Sequence, residues 1–182
     1  MKLDAVAKAM ARAHAQMHEV VAPATLPSLK DNLRARIESA APLPDELRGD
    51  VLRVLDELPD GDRLCHGDLH PGNMLGTLKA PAIIDWGDAS RGEPLGDVVR
   101  TALLLRVGVP PPGSPLTLRM LAPVGGGVAS MRYVAHYRRA RPIDTTLFAR
   151  WRLVRAAARL NEGIVEENPR LLKIVRRDLA RV

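Results

Sequence analysis

The sequence predicts a mainly α-helical protein with a small insert of strands and loops near its middle. Apolar residues recur at helical spacing through residues 2–58 and again from residue 94 onward. Residues 63–86 instead carry short apolar runs separated by glycine, proline and lysine. A chain of 182 residues can bury one well-packed core, so we expect a single domain over residues 1–182.

Three helices are predicted before the insert. The first covers residues 2–19, and Pro23 closes that region. The second begins at Ser28, whose hydroxyl can cap the helix end, with Asp31 three residues later. The third covers residues 45–58 and ends at the turn sequence PDGD.

The insert contains three apolar runs, RLCH, NMLGTL and PAIIDW, which predict short strands or extended loop arms. Pro81 is expected to start the last run, because proline does not fit the middle of a paired strand. After the insert the predicted helical segments are 94–106, 116–140, 144–160 with Asp144 as its cap, and a last helix that begins at Asn168-Pro169. The sequence GVPPPGSP (108–115) predicts a loop, and the triple glycine 125–127 predicts a break in the helix around it.

Composition narrows the function classes. The net charge of +6 raises the question of nucleic acid, but aromatic residues are only 3% and the arginines are dispersed, which disfavours nucleic-acid binding. No apolar run is long enough to cross a membrane, and the N-terminal residues lack the apolar segment of a secretory signal. The single cysteine, Cys65, fits a reducing compartment, so we expect a cytoplasmic protein.

The densest chemistry lies in the stretch LCHGDLHPGNML, residues 64–75. Asp68 is followed after four residues by Asn73, the spacing of the kinase catalytic loop. A short loop can direct the aspartate toward the acceptor hydroxyl and the asparagine oxygen toward a metal on the nucleotide phosphates. Asp85, in IIDWGD, resembles the kinase aspartate that bridges Mg²⁺ to those phosphates, and both side chains offer the hard oxygens that Mg²⁺ prefers.

Together the segments LCHGDLHPGNML and AIIDWGDASRGEPLGDVVR resemble the aminoglycoside phosphotransferase and choline kinase superfamily, small-molecule kinases related to protein kinases. The Met17-His18 pair followed by Leu26-Pro27 is also typical of that superfamily. The resemblance implies the helical C-terminal lobe of the protein-kinase-like fold. It further implies ATP-dependent phosphorylation of a small-molecule hydroxyl, with Mg²⁺ on the nucleotide.

The resemblance also implies roles for individual residues. Asp68 would be the catalytic base, with His66 bracing the loop, and Asn73 and Asp85 would be the magnesium ligands. Asp97 would anchor the loop backbone from a buried position. Residues expected near the substrate or behind the metal are His70, Asp88 and Trp86.

One departure from the superfamily pattern bears on activity. Nothing before Asp68 predicts the β-sheet, glycine-rich loop and lysine of an N-terminal lobe. We therefore expect this chain alone to bind Mg-ATP weakly and to turn over little. We also expect that the chain can self-associate or pair with a missing N-terminal lobe, because the lobe alone would expose an apolar surface.

Two other functions compete with the kinase hypothesis. A catalytically silent, kinase-like binding module would use the apolar surface that the absent lobe leaves exposed. A metal-dependent hydrolase would use His66, Asp68 and His70 as ligands on one face of a strand, but it leaves Asn73 and Asp85 without a role.

Overall fold

In the computed structural model, which describes residues 2–108 and 116–182, the chain is mostly helical with two small antiparallel sheets. The helices are α1 (Lys2–Met17), α2 (Leu29–Glu38), α3 (Asp45–Glu57), α4 (Pro94–Val107), α5 (Leu116–Ala140), α6 (Thr145–Arg159) and α7 (Asn168–Leu179). The strands are β1 (Arg63–Cys65), β2 (Met74–Thr77), β3 (Ala80–Ile83) and β4 (Ser90–Gly92). Single 3₁₀ turns cover Pro71–Asn73 and Leu160–Glu162. This confirms the predicted class, and none of the helices in these described ranges is both long and apolar enough to cross a membrane.

Local capping chemistry sets the predicted helix starts. Ser28 caps α2 and accepts a hydrogen bond from the Asp31 N–H at 3.3 Å. Asp144 caps α6 and accepts from the N–H groups of Thr146 and Leu147, at 2.7 and 3.0 Å. The first helix ends at Met17, two residues earlier than predicted.

The insert consists of two short antiparallel pairs. β1 pairs with β4, a strand that the sequence did not predict, and β2 pairs with β3 in a hairpin. Pro81 lies opposite Gly76 inside β3 rather than at its start, so that expectation was wrong. Both strands of a two-stranded hairpin are edge strands, and proline is tolerated at an edge.

Helix α4 contributes to both hydrophobic clusters of the protein. Its Leu95, Val99 and Leu103 pack into a cluster with α2, α3, α6 and α7 around the buried Trp151. Its Val98 and Ala102 pack into a second cluster with α1 and α5. Because α4 is buried on these opposite sides, its first turns are fixed in position next to the insert.

Helix α5 runs through the triple glycine without the predicted break, so that prediction was wrong. A Cβ on Gly126 would lie 2.3 Å from the carbonyl oxygen of Leu105, whereas the space beside Gly125 and Gly127 is open. Gly126 thus permits a close approach of α5 to α4, and tertiary packing outweighs the low helix propensity of glycine. The predicted loop at 108–115 falls, beyond Gly108, outside the described residues.

Candidate active site

The backbone of the loop that follows β1 is hydrogen-bonded to a buried carboxylate of α4. Asp97 has no solvent exposure, and its Oδ1 accepts a hydrogen bond from the Gly67 N–H at 2.9 Å. Its Oδ2 accepts from the His66 N–H at 2.6 Å. Gly67 adopts a left-handed backbone (φ +83°), and a Cβ there would lie 2.4 Å from the Asp88 carbonyl oxygen, so the turn requires glycine.

Two histidines of α1 complete the surroundings of Asp97. The Nε2 atoms of His14 and His18 lie 2.9 and 3.4 Å from Asp97 Oδ2. A carboxylate only accepts, so each Nε2 carries the hydrogen, and the Nδ1 atoms accept from the hydroxyls of Tyr133 and Tyr137 at 2.5 and 2.7 Å. Burial opposes ionisation of Asp97, but His14 and His18 outweigh it and hold the pKa of Asp97 well below its usual value.

The same three side chains have the composition of a metal site. Among the residues that the structure describes, His14, His18 and Asp97 are the group whose ligand atoms converge within 4.8 Å. Their nitrogen and oxygen atoms are already paired with one another, with tyrosine hydroxyls and with the loop backbone. The cluster is therefore a satisfied hydrogen-bond network, and we assign no metal to it.

His66 connects the loop to the segment that carries Asp85. Its Nδ1 accepts from the Asp68 N–H at 3.2 Å, so its Nε2 carries the hydrogen and donates to the Ile84 carbonyl at 3.0 Å. The Trp86 ring packs against the imidazole with 4.8 Å between centroids. With both nitrogens occupied and no exposure, His66 is a support for two loops rather than a metal ligand.

Asp68 and Asn73 lie at opposite ends of one tight turn. Asn73 Nδ2 donates to the Asp68 carbonyl at 3.0 Å and faces Asp68 Oδ2 at 3.4 Å. Since these contacts use the amide nitrogen, the Oδ1 atom of Asn73 is left as the acceptor that can serve a cation. The Asp68 side chain is 28% exposed, so it is within reach of a bound molecule.

Asp85 is held in a sparsely populated backbone conformation. Its φ of 63° is the only positive value at a non-glycine residue in the described part of the chain, and aspartate tolerates it better than most residues. The side chain is exposed. Ile84 before it is also 36% exposed, so the apolar pair that precedes Asp85 is not fully buried.

The strand register brings Asp85 next to Asn73. β2 and β3 pair Met74 with Ile83, and the Ile84 N–H donates to the Asn73 carbonyl at 3.1 Å. Asp85 therefore leaves the hairpin directly beyond Asn73. The hairpin register thus places the exposed Asp85 close in space to Asn73, at the end of the turn that begins with Asp68.

Three further residues predicted near the site differ in their contacts. The His70 ring accepts from the Gly72 N–H at 3.0 Å and has its Nε2 3.6 Å from Asp68 Oδ2. Asp88 pairs with Arg36 of α2 at 2.6 Å. Trp86 is 41% exposed and donates to the Ile83 carbonyl at 3.1 Å.

The sequence did not predict a contact between Asp68 and Arg100. The buried Arg100 donates to Asp68 Oδ1 at 3.1 Å and to the Gly67 carbonyl at 3.0 Å. A signal was available, because Arg100 follows Asp97 by three residues and so lies on the same face of α4.

The residues present fit a hard divalent cation. The unused Asn73 oxygen and the exposed Asp85 carboxylate, which has no hydrogen-bond partner among the described side chains, are oxygen donors of the kind that Mg²⁺ takes. The hydrolase hypothesis, in contrast, needs His66 as a ligand, and His66 is buried with both ring nitrogens hydrogen-bonded.

Comparison with known families identifies the family of the chain. The model of the phosphotransferase enzyme family, APH, matches residues 2–143, well over half of the chain. The chain therefore belongs to this phosphotransferase family, in agreement with its resemblance to the aminoglycoside phosphotransferase and protein-kinase-like superfamily. A search of curated protein sequences gave no match.

Proposed function

We propose that the chain is the helical, C-terminal-lobe part of an ATP-dependent kinase that phosphorylates a hydroxyl of a small molecule. Family membership supports phosphotransfer in general. The observation that supports the finer proposal is the contact between Asp68 and Asn73, together with the hairpin that returns the Asp85 segment to Asn73. Phosphoryl transfer needs a proton acceptor near metal-binding oxygens.

In this proposal the oxygen of the acceptor hydroxyl bonds to the γ-phosphorus and its proton passes to Asp68. The bond between the γ-phosphorus and the β,γ-bridging oxygen breaks, and ADP leaves. Asn73 Oδ1 and Asp85 would hold Mg²⁺, which when bound offsets the negative charge of the phosphates. His66 keeps the Asp68 loop and the Asp85 loop in register, and Asp97 fixes the backbone of the Asp68 loop. Catalysis of this kind depends on positioning and electrostatics, so these supports matter to the rate.

We propose further that the acceptor is not a polycation. A polycation would require free carboxylates among the C-terminal helices, where the sequence offers Asp144, Glu162, Glu166 and Glu167. Asp144 is used as a helix cap, and Glu167 is buried against Arg159. Glu162 faces Arg100 and Arg159, so three of these four carboxylates are already engaged, and Glu166 alone is exposed without an arginine partner among the described residues.

The binding-module hypothesis has one observation in its favour. Leu75 and Leu78 of the hairpin are 54% and 46% exposed, and Trp86, in the segment that follows the hairpin, is 41% exposed. An apolar surface of this kind favours a partner, either a second copy or a separate lobe that covers the cleft.

Phosphotransfer from radiolabelled Mg-ATP to a panel of hydroxylated small molecules, aminoglycosides included, tests the proposal. We expect Asp68→Asn to lower the rate by about 10²- to 10⁴-fold, since it removes the proton acceptor. The matched control is Asp50→Asn, a surface carboxylate of α3 that pairs with Arg53, and it should retain the wild-type rate. Equal rates for wild type and Asp68→Asn would contradict the role of Asp68, and robust transfer to aminoglycosides would contradict the assignment of the acceptor.

Calorimetric titration with Mg-ATP separates the kinase from the module. We expect weak binding by this chain alone, weakened further in Asp85→Asn because a metal-binding oxygen loses its charge. Micromolar affinity in the wild type would contradict the need for a second lobe. Undetectable binding, together with self-association, would favour the module.

A further inference from the structure

Arg100 connects the candidate base to a distant part of the chain. Its Nη2 donates to Asp68 Oδ1 at 3.1 Å, its Nε to the Gly67 carbonyl at 3.0 Å, and its Nη1 lies 2.6 Å from Glu162 Oε1. One buried guanidinium thus fastens two consecutive residues of the loop to the 3₁₀ turn after α6. The planar, forked geometry of arginine allows these contacts together, which a lysine cannot reproduce.

Glu162 is itself held in place. Its Oε2 accepts from Arg159 at 2.7 Å, and Arg159 donates two more hydrogen bonds to the buried Glu167, at 2.5 and 2.8 Å. Arg36 lies 3.7 Å from Glu162 Oε1 and pairs with Asp88 at 2.6 Å. Arginines from α2, α4 and α6 therefore converge on one carboxylate whose side chain is 24% exposed.

We propose that Arg100, held by Glu162, is a positioning residue that sets the orientation of the Asp68 carboxylate. Arg100 occupies Oδ1, so Oδ2, whose contacts with Asn73 and His70 are longer at 3.4 and 3.6 Å, is the oxygen that receives the acceptor's proton. This inference rests on the proposed function, because it assigns Asp68 as the base.

The charge of Glu162 has a part in this arrangement. A lone arginine against Asp68 would bury a cation with one side unmatched, at considerable cost. Glu162 satisfies that side and offsets part of the positive charge that Asp68 faces. The pair therefore fixes the base geometrically while the carboxylate of Asp68 stays available to a proton.

The test compares Arg100→Met, Arg100→Lys and Glu162→Gln in the phosphotransfer assay. We expect Arg100→Met to lower kcat at least tenfold with an unchanged KM for ATP, and Arg100→Lys to recover part of that loss. Glu162→Gln should lower kcat by a few fold. The matched control, Arg152→Met, removes an equally close ion pair, with Asp178 at 2.7 Å, and should leave kcat unchanged. An equal loss in the control, or a change confined to KM, would overturn the positioning role.

Urea unfolding of Arg100→Met, Asp68→Ala and the double variant decides the contact without any turnover. If Arg100 holds Asp68, the shifts of the two single variants are not additive in the double variant. Additive shifts would overturn the inference whether or not the protein transfers phosphate. Non-additive shifts in a protein that phosphorylates no acceptor would leave the contact intact and reject the proposed function, and the catalytic role with it.

Discussion

The two sides of the loop that carries Asp68 differ in how their polar groups are satisfied. On the inner side, Asp97, His14 and His18 are fully buried, and their hydrogen-bonding atoms are paired with one another or with neighbouring groups. On the outer side, Asp85 is exposed, and Asn73 keeps an unused oxygen. On the inner side the charge of Asp97 holds the loop backbone through hydrogen bonds, whereas on the outer side the acceptor oxygens of Asn73 and Asp85 stay free.

This contrast follows from the cost of burying polar groups. A buried charge is tolerated only when it is paired, so a carboxylate such as Asp97 becomes a rigid point of attachment. An exposed carboxylate pays no such penalty and stays available to a ligand. Asn73 and Asp85 on the outer side keep free acceptor atoms. Their loop is held in place by Asp97 and the two histidines on the inner side, whose hydrogen-bonding atoms are all paired.

Removing the inner carboxylate is expected to have the largest effect. Asp97→Asn replaces one carboxylate oxygen with a donating amide. In one orientation the amide opposes the Gly67 N–H, and in the other it opposes the His66 N–H and the Nε2–H groups of both histidines. We expect the free energy of unfolding, measured by urea denaturation, to fall by about 3–5 kcal/mol.

The control for this prediction is Asp56→Asn, which removes an exposed carboxylate paired with Arg34 and should cost less than about 1 kcal/mol. If Asp97→Asn were as stable as this control, the inner side would not be the rigid support that its contacts indicate.

Local sequence chemistry was sufficient for much of the fold. Ser28 and Asp144 cap their helices through contacts within three residues, which a linear pattern can reveal. Strand β4 could not be predicted in this way, because its sequence, SRG, has no apolar alternation and pairs only because β1 lies beside it. The predicted helix break at the triple glycine was wrong for the same reason, since the helix there depends on contact between Gly126 and α4.

In the candidate site, too, contacts between residues near in sequence were predictable and contacts between distant residues were not. The spacing of Asp68 and Asn73 is local, and the hairpin that follows carries Asp85 back to Asn73, so their proximity was predictable. The ion pair of Arg100 with Glu162 joins residues 62 positions apart, and its formation depends on how α4 and α6 cross. Sequence patterns do not encode such crossings, which is why the arginine network appeared only in the structure.

The dependence of the free energy of unfolding on pH tests whether the inner side keeps His18 unprotonated. Burial, and the neighbouring His14, lower the pKa of His18 from 6.5 to about 4. Between these values the unfolded chain binds a proton that the folded protein does not, so stability falls as the pH falls. We expect a loss of about 3 kcal/mol between pH 6.5 and pH 4. Asp97, whose pKa is depressed, contributes its full stabilisation throughout this range and loses it only at lower pH.

Urea denaturation of two variants at several pH values tests whether His18 causes this fall in stability with pH. His18→Gln should flatten it, because no proton is then taken up at this position on unfolding. His136→Gln, which removes a histidine that contacts Asp4 near the surface, should preserve it. An unchanged slope in His18→Gln would mean that the inner network does not exclude the proton.

The smallest expected effect concerns the packing that supports the inner side from α5. Gly125→Ala and Gly127→Ala place a methyl group in open space within a helix, so each should raise the free energy of unfolding by about 0.5–1 kcal/mol. Gly126→Ala instead places it 2.3 Å from the Leu105 carbonyl oxygen, which forces α5 away from α4 and should lower stability by about 1–3 kcal/mol. The three variants differ by one position and share one chemistry, so opposite signs in their urea midpoints isolate the helix contact from helix propensity. An equal rise in the free energy of unfolding in all three variants would show that α5 can move at this crossing. The hydrogen bonds of Tyr133 and Tyr137 to the histidines would then not depend on tight packing of α5 against α4.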